Sequence, residues 1–243
     1  AINAVMAGCR PADFPVVLAA MHAVLAEPYL LHGSSASTGG CGVLLLVNGP
    51  IRGELGMSGS FNALGPSDRA TTSIGRAVRL ILANLLGVRP GEVDRSTFGH
   101  PGKISFCIAE DEENSPWPGE GGERLGTPGE SSVTAMAAMS PRQVMNEWTT
   151  DPAEILDTFV AEIRANMRHY SIWPGNYAVV LAPQLRTHFA AAGWSKDDIR
   201  RYVHEHARIR RGEWADVGKA NVVHDKADVE YAALPDPVSY THL

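Results

Sequence analysis

The chain has 243 residues, of which 44% are hydrophobic and 20% charged, enough to bury the core of one α/β domain. The sequence contains no run of 18 uncharged apolar residues, so no membrane span is predicted. A net charge of −6 does not indicate nucleic-acid binding. The three cysteines, Cys9, Cys41 and Cys107, fit neither a zinc-binding spacing nor a disulfide framework. These properties predict a soluble protein of the reducing cytoplasm.

The first fifth of the chain predicts two helices and a buried strand. Residues 2–8 read as the end of a helix already under way, so the chain looks truncated at its N terminus. Residues 13–27 carry apolar side chains at helical spacing behind an Asp-x-Pro start. Residues 43–47, VLLLV, form the unbroken apolar run typical of a strand buried on both faces, and Asn48-Gly49-Pro50 ends it.

A long amphipathic helix is predicted over residues 67–86. Ser67 or Asp68 can cap its first turn, and Gly87 stands where a left-handed C-terminal cap belongs. Its apolar stripe consists of Ile74, Ala77, Val78, Ile81, Leu82 and Leu85.

The remaining elements alternate between strands and helices. Residues 103–109, 131–138 and 177–183 predict strands, and residues 118–130 a loop rich in Gly, Pro and Glu. Helices are predicted to start at Ser140-Pro141, Asp151-Pro152 and Ser195, the second burying Ile155, Phe159, Ile163 and Met167. This order predicts a single α/β domain over residues 1–237, with a mixed, largely parallel sheet flanked by helices.

Four consecutive acidic residues, 110–113, follow directly from the second predicted strand. In an extended chain, Glu110 and Glu112 point to one side, where they can divide acid and base roles beside His100. Functional loops in parallel sheets lie at the carboxyl ends of strands, so Asn48 is expected at the same edge. Trp117 is placed to cover such a cleft, or else to pack in the interior. The alternatives are a divalent cation bound with His100 and a solvated acidic loop.

The start of the long helix offers a second candidate site. Backbone N–H groups and Arg69 at a helix N terminus favour an anion, although Arg69 and Arg76 can equally be a surface pair. The glycine-rich residues 53–59 lack the context of a dinucleotide or phosphate-binding motif, and no cofactor is assigned. Cys9, beside Arg10, is the best candidate for a redox thiol.

Six segments together resemble a largely uncharacterised bacterial family, some of whose members are associated with or fused to a UGSC-like domain, a thiol or selenothiol module. They are AINAVMAGCRP, LLLVNGPI, ALGPSDRATTSIGRA, FGHPGK, FCIAEDEENSPW and GWSKDDIRRYVHEHAR, within residues 1–209. The resemblance implies motif positions at Asn48, Gly49, Pro50, Asn62, Arg69, His100, Lys103, Glu110, Glu112, Glu113 and Trp117.

The chain departs from this family pattern at two places. Asp111 stands where the family more often has Asn, and Pro141-Arg142 where it has Pro-His, so a role of that histidine is lost or replaced. The last residues, 238–243, resemble translated sequencing adaptor of the kind found in metagenomic fragments, and we predict a non-native tail there.

The sequence therefore predicts an enzyme of unassigned reaction that acts on a small polar or anionic molecule by hydrolase- or lyase-type acid–base chemistry. Glu110 or Glu112 serves as base, with His100 as acid or orienting group and Asn48 as donor near the reacting atom. Lys103 and Arg69 hold substrate charge. The alternative is a redox or binding subunit that works through Cys9 with a UGSC-like partner, and a homo-oligomer is compatible with either.

Overall fold

The computed structural model describes residues 1–169, 175–219 and 241–242. They group into two compact units, Ala1–Arg142 and Gln143–Leu243. The single domain over residues 1–237 stays a prediction. Of the predicted non-native tail, all but Thr241 and His242 lies outside the described residues.

The first unit contains a three-stranded sheet, and its helices precede the first strand and lie between the strands along the chain. Its helices are α1 (Ile2–Ala7), α2 (Phe14–Leu25), α3 (Leu31–Ser35), α4 (Ile51–Leu55), α5 (Arg69–Asn84) and α6 (Glu120–Leu125). Its strands are β1 (Gly42–Asn48), β2 (Cys107–Ala109) and β3 (Ser132–Ala138). Short 3-10 turns lie at Pro11–Asp13, Glu27–Tyr29 and Pro101–Lys103.

The second unit is mainly helical in its described part. It contains α7 (Pro152–His169), α8 (Pro183–Ala191), α9 (Lys196–His206) and α10 (Arg211–Ala215), and the two-residue strands β4 (Gly175–Asn176) and β5 (Thr241–His242). Helix α7 buries Ile155, Ile163 and Met167 as predicted, with Phe159 half-buried. The predicted capping box of α9 between Ser195 and Asp198 is confirmed.

The strand order in the first unit is β2-β1-β3. Strand β1 pairs with β2 in parallel, with Val47 opposite Ala109, and with β3 in antiparallel, with Asn48 opposite Ser132. The predicted α/β fold with a mixed sheet flanked by helices is confirmed. One of the two pairings in this sheet is parallel.

The two faces of β1 bury different sets of side chains. Leu45 and Val47 belong to a large core formed with α1, α2 and α5. Leu44 packs on the other face with Phe106 and Ile108. The strand is therefore buried on both faces, as its unbroken apolar sequence predicts.

Helix α5 begins and ends close to its predicted limits. The side chain of Asp68 accepts a hydrogen bond from the backbone N–H of Thr71 at 2.8 Å, which caps the first turn. The predicted stripe is buried at Ile74, Ala77, Val78 and Leu82. The prediction that Leu85 belongs to the buried stripe is wrong, since the helix ends at Asn84 and the Leu85 side chain is 70% exposed.

Four further predictions need correction. The second strand covers only Cys107–Ala109, because Pro101–Lys103 forms a 3-10 turn upstream. The predicted loop 118–130 contains α6. No helix starts at Ser140-Pro141, where the chain passes from the first compact unit to the second. Residues 177–182 form no strand, because they have no neighbouring strand to pair with among the described residues.

No single helix in the described ranges is long and apolar enough to cross a membrane. One pair, Pro11–Leu25 with Glu27–Ser35, meets the length and composition requirement only when its two parts, bent by 72°, are counted together.

A buried ion pair ties the start of α5 to the turn before α2. Asp13 is fully buried, and its two carboxylate oxygens accept hydrogen bonds from Arg69 at 2.5 and 3.0 Å. The backbone N–H of Arg10 donates to the same carboxylate at 2.7 Å. Burial by itself raises the pKa of Asp13, but the hydrogen bonds from Arg69 and Arg10 outweigh it and hold this pKa below its ordinary value.

We expect Arg69→Met to lower the free energy of unfolding by about 3 kcal/mol at pH 7, since it leaves Asp13 charged and unpaired in the core. Because the folded-state pKa of Asp13 is depressed, the pair stabilises the protein above an unfolded-state pKa of about 3.9, and this contribution is lost as the pH falls through the folded value. Urea unfolding at pH 7 and in acid measures the difference, which should shrink on acidification.

The matched control is Arg76→Met, which removes an exposed arginine from the same helix. Its effect should stay within about 0.5 kcal/mol. Equal effects of the two substitutions would contradict a stabilising role of the pair.

Candidate functional site

The carboxyl ends of β1 and β2 lie side by side. The two strands run parallel with Val47 opposite Ala109, so the next residues, Asn48 and Glu110, leave the sheet at the same edge. The backbone N–H of Glu110 still donates to the Val47 carbonyl at 3.2 Å. The prediction that the two strand ends meet is confirmed.

A buried amide joins two of the acidic side chains. Asn48 is 1% exposed, and its Nδ2 donates to Glu110 Oε2 at 2.5 Å and to Glu112 Oε1 at 2.7 Å. Glu110 and Glu112 therefore lie on the same side of the chain, as an extended backbone predicts. Both carboxylates are half-buried, so the reading as a fully solvated acidic loop does not hold.

Backbone N–H groups complete the surroundings of these two carboxylates. The N–H of Glu120, at the start of α6, donates to Glu110 Oε2 at 2.7 Å. The N–H of Gly49 donates to Glu112 Oε1 at 2.8 Å. Two carboxylates that share one nitrogen donor repel each other, and these N–H groups offset that repulsion.

Arg52 is the central residue that the sequence reading missed. It is 5% exposed, and its guanidinium donates to the Gly49 carbonyl at 3.0 Å and to the Glu110 carbonyl at 2.5 Å. The same group pairs with Glu112 at 3.0 Å and with Glu113 at 3.0 Å. Arg52 thus locks the acidic segment to the turn after β1.

The position of Arg52 in the sequence indicates that its side chain can reach the end of β1. It lies four residues after Asn48, in the short helix that Pro50 opens, so one helical turn carries its side chain back over the strand end. The arginine also reaches Glu113, whose pKa it lowers by a hydrogen bond. Glu113 is otherwise largely exposed.

Glycines allow the backbone to close over the site. Gly49 has φ 82, and a Cβ there would collide with the Glu130 carbonyl. A Cβ on Gly121 would collide with Ser132 Oγ and lie 2.8 Å from Asn48 Cβ. The start of α6 therefore packs directly on the asparagine.

Two buried polar atoms at this point have no hydrogen-bond partner among the described residues. They are Asn48 Oδ1 and Ser132 Oγ, which belong to residues paired across β1 and β3. Buried polar atoms are normally paired, because leaving one unpaired costs about 1–3 kcal/mol. The site thus keeps one unused acceptor and one unused hydroxyl.

His100 is not part of this cluster, which corrects the predicted pairing with Glu110 and Glu112. Its Nε2 contacts the Ala138 carbonyl at 3.2 Å, and Ala138 pairs with Gly42 at the opposite end of β1. A seven-residue strand separates the two ends by about 20 Å. Burial lowers the pKa of His100, with the nearby charge of Lys103 adding to this effect.

The sequence also makes Asn62, Arg69 and Lys103 candidate substrate-binding residues, and the structure disperses them. Lys103 lies near His100, where its Nζ contacts Asp94 at 2.9 Å and Ser96 at 2.5 Å. Arg69 is engaged with Asp13, which accounts for its charge without a bound anion. Asn62 is exposed in a loop with φ 59.

Trp117 is half-buried in the segment that leads from the acidic run back to α6. Its backbone N–H donates to Ser115 Oγ at 3.2 Å. This position is compatible with the predicted cover over the strand ends, and the role stays a prediction.

The cysteines are free thiols, and none has a lowered pKa. Burial and the neighbouring Asp13 raise the pKa of Cys9 to about 11. Burial also raises the pKa of Cys41 and of Cys107. Since the thiolate is the reactive form, the neutral thiol of Cys9 argues against the predicted redox role.

Within the described ranges, no group of three or more His, Cys, Asp or Glu side chains is arranged to hold a metal ion. The cation site proposed with His100 is not formed, since His100 lies at the other strand end.

Comparisons with protein-family models, with curated proteins and with solved structures give no match for this chain.

We expect Asn48→Asp to destabilise the protein by about 3 kcal/mol at pH 7, because it replaces a shared donor by a third carboxylate. The deficit should shrink as the pH is lowered, since protonation relieves the repulsion that the substitution adds. Urea unfolding at pH 7 and pH 5 measures both effects.

Asn62→Asp is the matched control, because it makes the same change at an exposed asparagine. It should change stability by less than about 0.5 kcal/mol. An Asn48→Asp variant as stable as this control would show that the amide does not hold the carboxylates together.

Proposed function

We propose that the protein is an enzyme that performs acid–base chemistry, of the hydrolase or lyase type, on a small polar or anionic molecule. The observation that carries this proposal is the pair of half-buried glutamates, Glu110 and Glu112, bridged by the buried amide of Asn48 at the carboxyl ends of two parallel strands. Ligand sites in open α/β sheets concentrate at this edge.

Glu110 and Glu112 are the acid–base pair in this proposal. General acid–base catalysis needs carboxyl groups fixed within hydrogen-bond reach of the substrate, and each glutamate here is held by a side-chain and a backbone donor. Arg52 is a positioning residue, since its hydrogen bonds and ion pairs go to the carboxylates and the surrounding backbone. Asn48 positions the two carboxylates through its Nδ2 and leaves its Oδ1 for the substrate. His100 has no part in the reaction.

The unused acceptor and hydroxyl give the substrate a place to bind. Asn48 Oδ1 and Ser132 Oγ are both buried directly below Gly121, and neither has a partner in the part of the chain that the structure describes. A polar substrate group that bonded both atoms would need the start of α6 to move aside. We therefore assign α6 as the cover of the site. Trp117 lies in the segment that leads into this helix.

The free cysteines support a reducing compartment, the cytoplasm, as the place of action. Association with a UGSC-like partner is a proposal that rests on the sequence resemblance alone, and assembly into a homo-oligomer stays a proposal beside it.

The test is a panel of small esters, amides and hydroxy acids assayed with wild-type protein, Glu110→Gln and Glu112→Gln. Each substitution keeps the shape of the side chain but removes its ability to transfer a proton. We expect at least about a hundredfold loss of rate on any compound that the wild type converts.

The control is Glu54→Gln, at an exposed glutamate of α4 next to Arg52. It should keep the wild-type rate. Undiminished conversion by both Glu110→Gln and Glu112→Gln, or saturable ligand binding without any conversion, would contradict the proposal.

A further inference from the structure

A small cavity lies at the amino end of β1, the end opposite Glu110 and Glu112. Its volume is about 30 Å³, room for roughly two atoms of water size. Strand β1, helix α5 and the turn at Pro101–Lys103 contribute to its wall. The polar side chains that line it are Tyr29, Ser34, Ser35, Cys41, Arg79, Asp94 and Lys103.

The charges in the wall of this cavity do not balance. Asp94 is 4% exposed and carries the single carboxylate among the lining residues, whereas Arg79 and Lys103 carry two positive charges. Asp94 Oδ1 already accepts from Lys103 at 2.9 Å and from Ser96 Oγ at 2.7 Å. One positive charge remains after this pairing.

Arg79 holds the excess of hydrogen-bond donors. Among the described residues it donates one long hydrogen bond, at 3.4 Å, to Asp94 Oδ2. A guanidinium has five N–H donors in a fixed plane, so the described residues leave most of those of Arg79 unused. Its side chain is 20% exposed and that of Lys103 15%, so solvent reaches both cations.

We propose that this cavity binds a small carboxylate, with Arg79 as its main partner and Lys103 completing the charge balance. A planar carboxylate matches the fork of a guanidinium, which binds it through two parallel hydrogen bonds. The volume admits the carboxylate group of a formate-sized ligand. The site is separate from Glu110 and Glu112 and does not depend on the proposed catalytic function.

The neutral groups around the cavity are compatible with an anion. Burial raises the pKa of Tyr29 to about 12, so its hydroxyl keeps its proton at neutral pH. Burial also raises the pKa of Cys41 against the opposing charge of Lys103. Neither side chain therefore adds negative charge that would repel a carboxylate.

The experiment measures thermal unfolding while sodium formate replaces sodium HEPES at constant ionic strength. HEPES carries a bulky sulfonate that the cavity cannot admit. We expect a saturable rise of the unfolding midpoint by about 3 °C in the wild type, since a ligand that binds only the folded state stabilises it. The rise should be lost in Arg79→Met and kept in Arg76→Met, which removes an exposed arginine from the same helix.

A second variant and a second measurement protect the test against misfolding of Arg79→Met. Ser34→Leu fills the cavity and leaves Arg79, Asp94 and Lys103 in place. Line broadening of ¹³C-formate should be present with wild type and absent with Ser34→Leu.

Two results would overturn the proposal. One is a linear, unsaturated response to formate that is the same in wild type and Arg79→Met. The other is a saturable rise of the unfolding midpoint when sodium chloride replaces sodium HEPES, with no rise in sodium formate. That result would make the cavity a halide site.

Discussion

The side-chain amide of Asn48 is the interaction on which the rest of the candidate site depends. It is the last residue of β1 and is almost fully buried, yet its nitrogen contacts two carboxylates from the neighbouring strand end. A buried carboxylate without donors is costly, so the acidic segment can stay against the sheet only if such donors are supplied. Arg52 provides the opposite charge, and the start of α6 closes over the result.

Strand β1 separates two polar clusters of opposite character. At its carboxyl end, glutamates gather around one buried arginine and one buried amide. At its amino end, Arg79 and Lys103 gather around the buried Asp94. The apolar residues between them fill both faces of the sheet, so each cluster has its own surroundings and its own consequences for ligand binding.

Half of the candidate site could be predicted from the sequence. Apolar runs followed at once by polar residues placed Asn48, Glu110 and Glu112 together, because parallel strands end at the same edge. His100 was misplaced, although the chain order held the answer: it precedes β2 and so lies at the amino end of that strand. Arg52 was missed because its contacts depend on the turn of a five-residue helix that no periodicity reveals. The prediction of a strand at residues 177–182 was wrong because a strand needs a neighbour to pair with, which local composition does not specify.

The two hydrogen bonds of its amide predict that Asn48 and the acidic segment are energetically coupled. A double-mutant cycle measures this directly, with the free energies of unfolding of wild type, Asn48→Ala, Glu112→Ala and the double variant. The contact at 2.7 Å and the shared burial predict a coupling of at least about 1 kcal/mol between the two substitutions. Additive effects, equal to within about 0.3 kcal/mol, would show that the amide does not hold the carboxylate and would contradict this account.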